Sequence, residues 1–99
     1  MCVILSLYQQ QKDQSMSHKI AETIQALKTL HRDGVGIVAA NKKGEIYTNR
    51  AMKLSYAKTI ELLEKFTALH IHLRQATSGQ VSLDNVHFWR RDDWFFAHN

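Results

Sequence analysis

From residue 69 to residue 74 the chain reads Leu-His-Ile-His-Leu-Arg, with apolar and polar side chains alternating without a break. In a β-strand that spacing puts Leu69, Ile71 and Leu73 on one face and His70, His72 and Arg74 on the other, one face core and one polar. Such a strand needs neighbouring strands beside it and a layer to cover its apolar face, so the remaining segments are read for both.

Cys2 to Tyr8 is a short apolar run with β-branched residues, bounded by the polar stretch Gln9 to Gln14, and predicts a buried first strand. From Ser17, read as an N-cap, Ile20, Ile24, Leu27 and Leu30 recur at helical spacing and predict an amphipathic helix ending before Gly34. Val35 to Ala40, the turn Asn41-Lys-Lys-Gly44 and Glu45 to Thr48 predict a hairpin. A second helix follows, capped by Ser55, with Tyr56, Ile60, Leu63 and Phe66 on its inner face. Gln75 to Asn85 reads as a loop, and Trp94 to His98 as a last apolar strand stopping at Asn99. That abrupt end leads us to expect a piece of a longer protein.

With 99 residues, 44% of them hydrophobic and 22% charged, the chain suits one ordinary globular domain, and any site must be built on a single core. No stretch reaches the roughly 20 apolar residues of a membrane span, and the apolar opening lacks the flanks of a signal peptide. Cys2 is the only cysteine, which excludes an internal disulfide and fits a reducing compartment, so a cytoplasmic location is expected. The formal charge is +4, but the basic residues are scattered, and the tight pairs Lys42-Lys43 and Arg90-Arg91 read as solvated turns. Neither nucleic acid nor membrane is expected as a partner.

The residues able to do chemistry are few. With Met1 removed, Cys2 carries a thiol and a free α-amine, and an amine of pKa about 7.7–8.0 can serve as general base for a thiol of pKa about 8.5. By position alone, one more apolar residue of the first strand is the plainer reading of Cys2. Arg74 leads into Ala76-Thr-Ser-Gly79, a corner where a guanidinium, Thr77 and turn amides suit a carboxylate, although a surface ion pair is the plainer reading. His70, His72, His87 and His98 lack companion ligands at metal spacing, so no metal site is assigned. Asn99 offers a side-chain amide to an oxyanion or simply closes a turn.

Taken in order, Cys2 after Met1, the run His72-Leu-Arg-Gln-Ala-Thr-Ser-Gly79, the Asn85-Val-His87 segment and the closing Phe96-Ala-His-Asn99 resemble the class II glutamine amidotransferase domain. In that family the corresponding patterns are Met-Cys-Gly-Ile, His-Thr-Arg-Trp-Ala-Thr-His-Gly, Asn-x-His and a strand ending His-Asn-Gly. Asp33-Gly-Val-Gly-Ile37 also resembles the family's Asp-x-x-Gly-Ile strand. Any one of these is weak, but four in register over the whole chain are specific.

The resemblance implies an α+β fold of the N-terminal-nucleophile type, an α-β-β-α sandwich of mainly antiparallel sheets, with residues 1–99 as its amino-terminal, truncated part. It implies glutamine or a related γ-glutamyl amide as substrate, an unidentified ammonia acceptor, no cofactor, and a chain that can form a homo-oligomer. Cys2 is then nucleophile and base, Asn99 an oxyanion donor, and Arg74, Thr77, Ser78 and Gly79 the substrate-binding residues. Departures from the family pattern are Val3 for Gly, Gln75 for Trp, Ser78 for His, and Leu30 where an arginine is common. The family's Gly after Asn99 and a downstream acidic residue are absent, so the 99 residues alone are expected to be inactive. The alternatives are a catalytically inactive amino-acid-binding or regulatory domain of the same fold, and a basic nucleic-acid-binding module whose binding would fall steeply with salt.

Overall fold

The computed structural model describes residues 2–76 and 79–97, and its elements follow the order β1 (Val3–Tyr8), α1 (Gln14–Leu30), β2 (Val35–Ala40), β3 (Ile46–Ala51), α2 (Tyr56–Lys65), β4 (Ala68–Leu73), β5 (Trp89–Arg91) and β6 (Trp94–Phe96). Strands β1, β4, β2 and β3 form, in that order, one sheet with antiparallel pairings, and β5 pairs with β6 in a separate antiparallel hairpin. The class is therefore α+β.

The alternating strand takes the centre. Leu69, Ile71 and Leu73 of β4 are buried beside Val35, Ile37 and Ala39 of β2, under Ala21 and Ile24 of α1 and Leu62 and Leu63 of α2. Both helices thus cover one face of the sheet, and burying that apolar surface is the main force holding the layers together. The opposite face is not simply solvent-facing. His72 and Arg74 are buried there, 0% and 6% exposed, whereas His70 is open and pairs through Nδ1 with Ser6 Oγ at 2.9 Å.

The segment after Val86 crosses this second face, and Gly36 makes the crossing feasible. A Cβ placed on Gly36 would lie 1.3 Å from the carbonyl oxygen of His87 and 2.6 Å from the nitrogen of Phe88, so only glycine admits that backbone. Phe88 and Phe95 then line grooves over the sheet with Val38.

Several local expectations shift. Helix α1 begins at Gln14, capped not by Ser17 but by Asp13, whose Oδ1 accepts from Met16 N at 3.2 Å. A carboxylate at that place satisfies a free amide and faces the positive end of the helix, while Ser17 is buried one turn in. Leu30, expected on the inner stripe, is the last residue of the helix and is 67% exposed. Ser55 caps α2 as expected, accepting from Lys58 N at 3.0 Å, but Thr59 and Leu62 join Leu63 inside while Tyr56 stays exposed.

The hairpin turn is built by Asn41, whose Oδ1 accepts from the nitrogens of Lys43 and Glu45, with Gly44 at φ +84°. Its second strand starts at Ile46, after Glu45, and runs on to Ala51 because β2 supplies ladder partners that far. The loop after Gln75 contains a 3-10 turn at Leu83–Asn85. Arg90 and Arg91 lie in β5, not in a turn, and the last strand stops at Phe96 with Trp94 70% exposed. No helix among the described residues is long and apolar enough to cross a membrane.

Candidate active site at the end of the central strand

Strands β1 and β4 pair antiparallel, with Val3 opposite Leu73. One residue further along the same register, Cys2 falls beside Arg74, and the Cys2 thiol donates to the Gln75 carbonyl oxygen at 3.7 Å. The two residues singled out 72 positions apart in the sequence therefore meet at one end of the sheet. Cys2 is a free cysteine and is partly exposed.

The Arg74 guanidinium is buried, and its Nη1 donates to the carbonyl oxygen of Gln80 at 2.9 Å. Asn85 Nδ2 donates to the same oxygen at 2.9 Å, so Gln80 ties the loop to both side chains. Gly79 sits at φ +76°, and a Cβ there would meet Asn85 Nδ2 at 3.4 Å and an Arg74 guanidinium nitrogen at 3.7 Å. Gly79 thus lies close to the guanidinium. The plainer reading of Arg74 as a surface ion pair does not hold, because the residue is enclosed. The expectations for Thr77, Ser78 and Asn99 fall outside the described residues.

The end of β4 is fastened from β2. Asp33 N donates to Arg74 O at 2.8 Å, Arg74 N donates to Gly34 O at 2.9 Å, and the Asp33 carboxylate accepts from Ala76 N at 2.6 Å. Asp33 drew notice in the sequence only through its strand pattern. No local spacing ties residue 33 to residue 76; Asn85 drew notice only as part of the Asn85-Val-His87 pattern, and Gln80 gave no signal of its own.

Beneath the loop, the imidazoles of His72 and His87 stack with centroids 4.1 Å apart, and Trp89 packs on His87 at 4.0 Å. These histidines serve packing in a ring stack, and no group of three or more His, Cys, Asp or Glu side chains among the described residues is placed to hold a metal ion.

The arrangement sets a thiol against the backbone carbonyl of the residue that follows a buried arginine, and a thiol and a guanidinium at one end of a sheet suit a small molecule that bears a carboxylate and, some bonds away, an electrophilic carbonyl. A family model described as "Glutamine amidotransferases class-II" matches residues 1–99. No curated protein and no solved structure matches the chain.

Proposed function

The chain belongs to the class II glutamine amidotransferases, and on that premise we propose that it performs the glutamine-cleaving half of their reaction, with Cys2 as nucleophile. Support comes above all from the Cys2 thiol lying 3.7 Å from the carbonyl oxygen of Gln75, the residue that follows the enclosed Arg74.

In this reading Met1 is removed and the α-amine of Cys2 takes the thiol proton, directly or through one water. Sulfur attacks the side-chain amide carbon of glutamine, and the carbonyl electron pair moves onto oxygen, where the Asn99 side-chain amide donates to it. As the tetrahedral adduct collapses, the C–N bond breaks, the leaving nitrogen takes the proton from the α-ammonium, and ammonia departs. Water then attacks the γ-glutamyl thioester, releasing glutamate and restoring the thiol. Arg74 holds the α-carboxylate with its planar fork, and Thr77, Ser78 and Gly79 complete that pocket. The four-stranded sheet is one layer of an α-β-β-α sandwich, and β5–β6 belongs to its second sheet.

Glutamine turnover by the full-length protein, followed as glutamate released, tests this together with the intact mass. Loss of Met1 and a drop in turnover of about a thousandfold or more in C2A are expected. R74K is expected to raise KM for glutamine about tenfold while leaving the thiol reactive to small alkylators. Turnover in C2A equal to that of the unmutated chain, or an active chain that keeps Met1, overturns the reading.

A further inference from the structure

We propose that Asp33 is a positioning residue that sets the spacing between the Arg74 guanidinium and the Cys2 thiol, and with it the length of amide substrate the site accepts. The proposal rests on the reading of Cys2 and Arg74 given above.

Strand β4 ends at Leu73, and Arg74 and Ala76 beyond it are held by hydrogen bonds to Asp33 and Gly34. Asp33 and Gly34 extend the ladder by one step through Asp33 N to Arg74 O at 2.8 Å and Arg74 N to Gly34 O at 2.9 Å. At Ala76 the Asp33 side chain takes over, its Oδ2 accepting the amide at 2.6 Å. A hydrogen bond from an amide to a carboxylate is stronger than one between neutral groups, and this one is partly buried, where competition from water is reduced.

Between these two anchors lies Gln75, whose carbonyl oxygen receives the Cys2 thiol at 3.7 Å. Asp33 therefore grips the backbone on both sides of the residue that touches sulfur, one of its holds being on the residue that carries the guanidinium. In glutamine the distance from α-carboxylate to amide carbon is fixed within narrow limits by the short chain between them. A shift of about 1 Å between the groups that bind its two ends costs on the order of a hundredfold in rate. A side chain that only closed a turn would affect stability and not the preference for one substrate length.

The test compares two alkylating reagents on the full 99-residue chain. One is a chloroketone with the shape of glutamine and its α-carboxylate, the other the same chloroketone without the carboxylate, and the readout is the ratio of the two rates of Cys2 modification. In the unmutated chain the first reagent should react faster, and a ratio near one overturns the reading of Arg74 and this proposal with it. In D33A the ratio should fall about tenfold toward one while the carboxylate-free reagent keeps its rate within about threefold. In D33N, which keeps an acceptor oxygen but not the charge, the ratio should lie between the two. An unchanged ratio in D33A, or equal slowing of both reagents, overturns the role of Asp33 and leaves that of Arg74 standing. Should D33A not fold, D33N decides, since an unchanged ratio there has the same meaning.

Discussion

His72 and His87, one from the central strand and one from the segment that crosses it, stack with their ring centroids 4.1 Å apart and are 0% and 6% exposed. This contact, together with Trp89 on the far side of His87, fixes the crossing segment to a sheet face that would otherwise lie open. H87A removes the middle ring of the stack, and the expected cost is about 2–4 kcal/mol, in the range of large-to-small changes at buried rings. Urea unfolding measures it, and Trp89 emission should move to longer wavelength as its indole meets water.

Two glycines that look alike in sequence should respond very differently to alanine. At Gly36 the added methyl group meets the backbone of His87, which cannot swing aside as a side chain can, so G36A should cost about 3 kcal/mol or more, or release the crossing segment. At Gly44 nothing lies within 4 Å and only the φ of +84° is disfavoured, so G44A should cost about 1–2 kcal/mol. Denaturation midpoints of the two variants give the comparison directly, and equal losses would contradict the crossing geometry.

The start of α1 can be located by mutation. D13A should lower stability by about 1 kcal/mol through loss of the cap. S17A, inside the helix, should change it by under about 0.5 kcal/mol, since alanine is the better helix former. A larger loss in S17A than in D13A in thermal melts would restore Ser17 as the cap.

Glu61 of α2 accepts from Lys65 Nζ at 3.1 Å and from Lys58 Nζ at 3.3 Å. The hydrogen bond from Lys65, then that from Lys58, holds its carboxyl below the ordinary value of 4.5. A group whose pKa is lower folded than unfolded adds stability above the unfolded value, and that increment fades as pH falls through the folded one. The effect should therefore be present at neutral pH, begin to fade on acidification below 4.5 and be gone once the pH is under the lowered folded value, weaken in high salt and be missing in E61Q. Parallel pH titrations of stability for the two proteins should converge at the acid end.

Much of the fold is legible because its signals are local. The alternation around Ile71 named the core face of β4, Ser55 lay directly ahead of α2, and Asn41 with Gly44 marked a turn whose bonds close within five residues. Where the structure differs, a distant partner decided: β3 extends to Ala51 because β2 has residues to pair with it, and Trp89–Arg91 forms a strand because β6 pairs with it. At the site, Cys2 and Arg74 were legible through chemistry and family pattern. Asp33 entered only as part of a strand pattern and Gln80 not at all, since they act through a carboxylate on a backbone amide 43 residues away and through a carbonyl oxygen.

By itself, then, the sequence determined the two helices and the strands of the four-stranded sheet, though not β5, which side of the central strand is apolar, and which residues carry reactive groups, for these follow from side-chain type and spacing along a few residues. The tertiary structure alone decided that the polar face of β4 would be enclosed, that Gly36 would lie under the His87 backbone, and that Asp33 would bracket the residue touching Cys2. Those relations depend on how separate elements stack, and stacking is set by the packing of the whole core, which no short window of sequence contains.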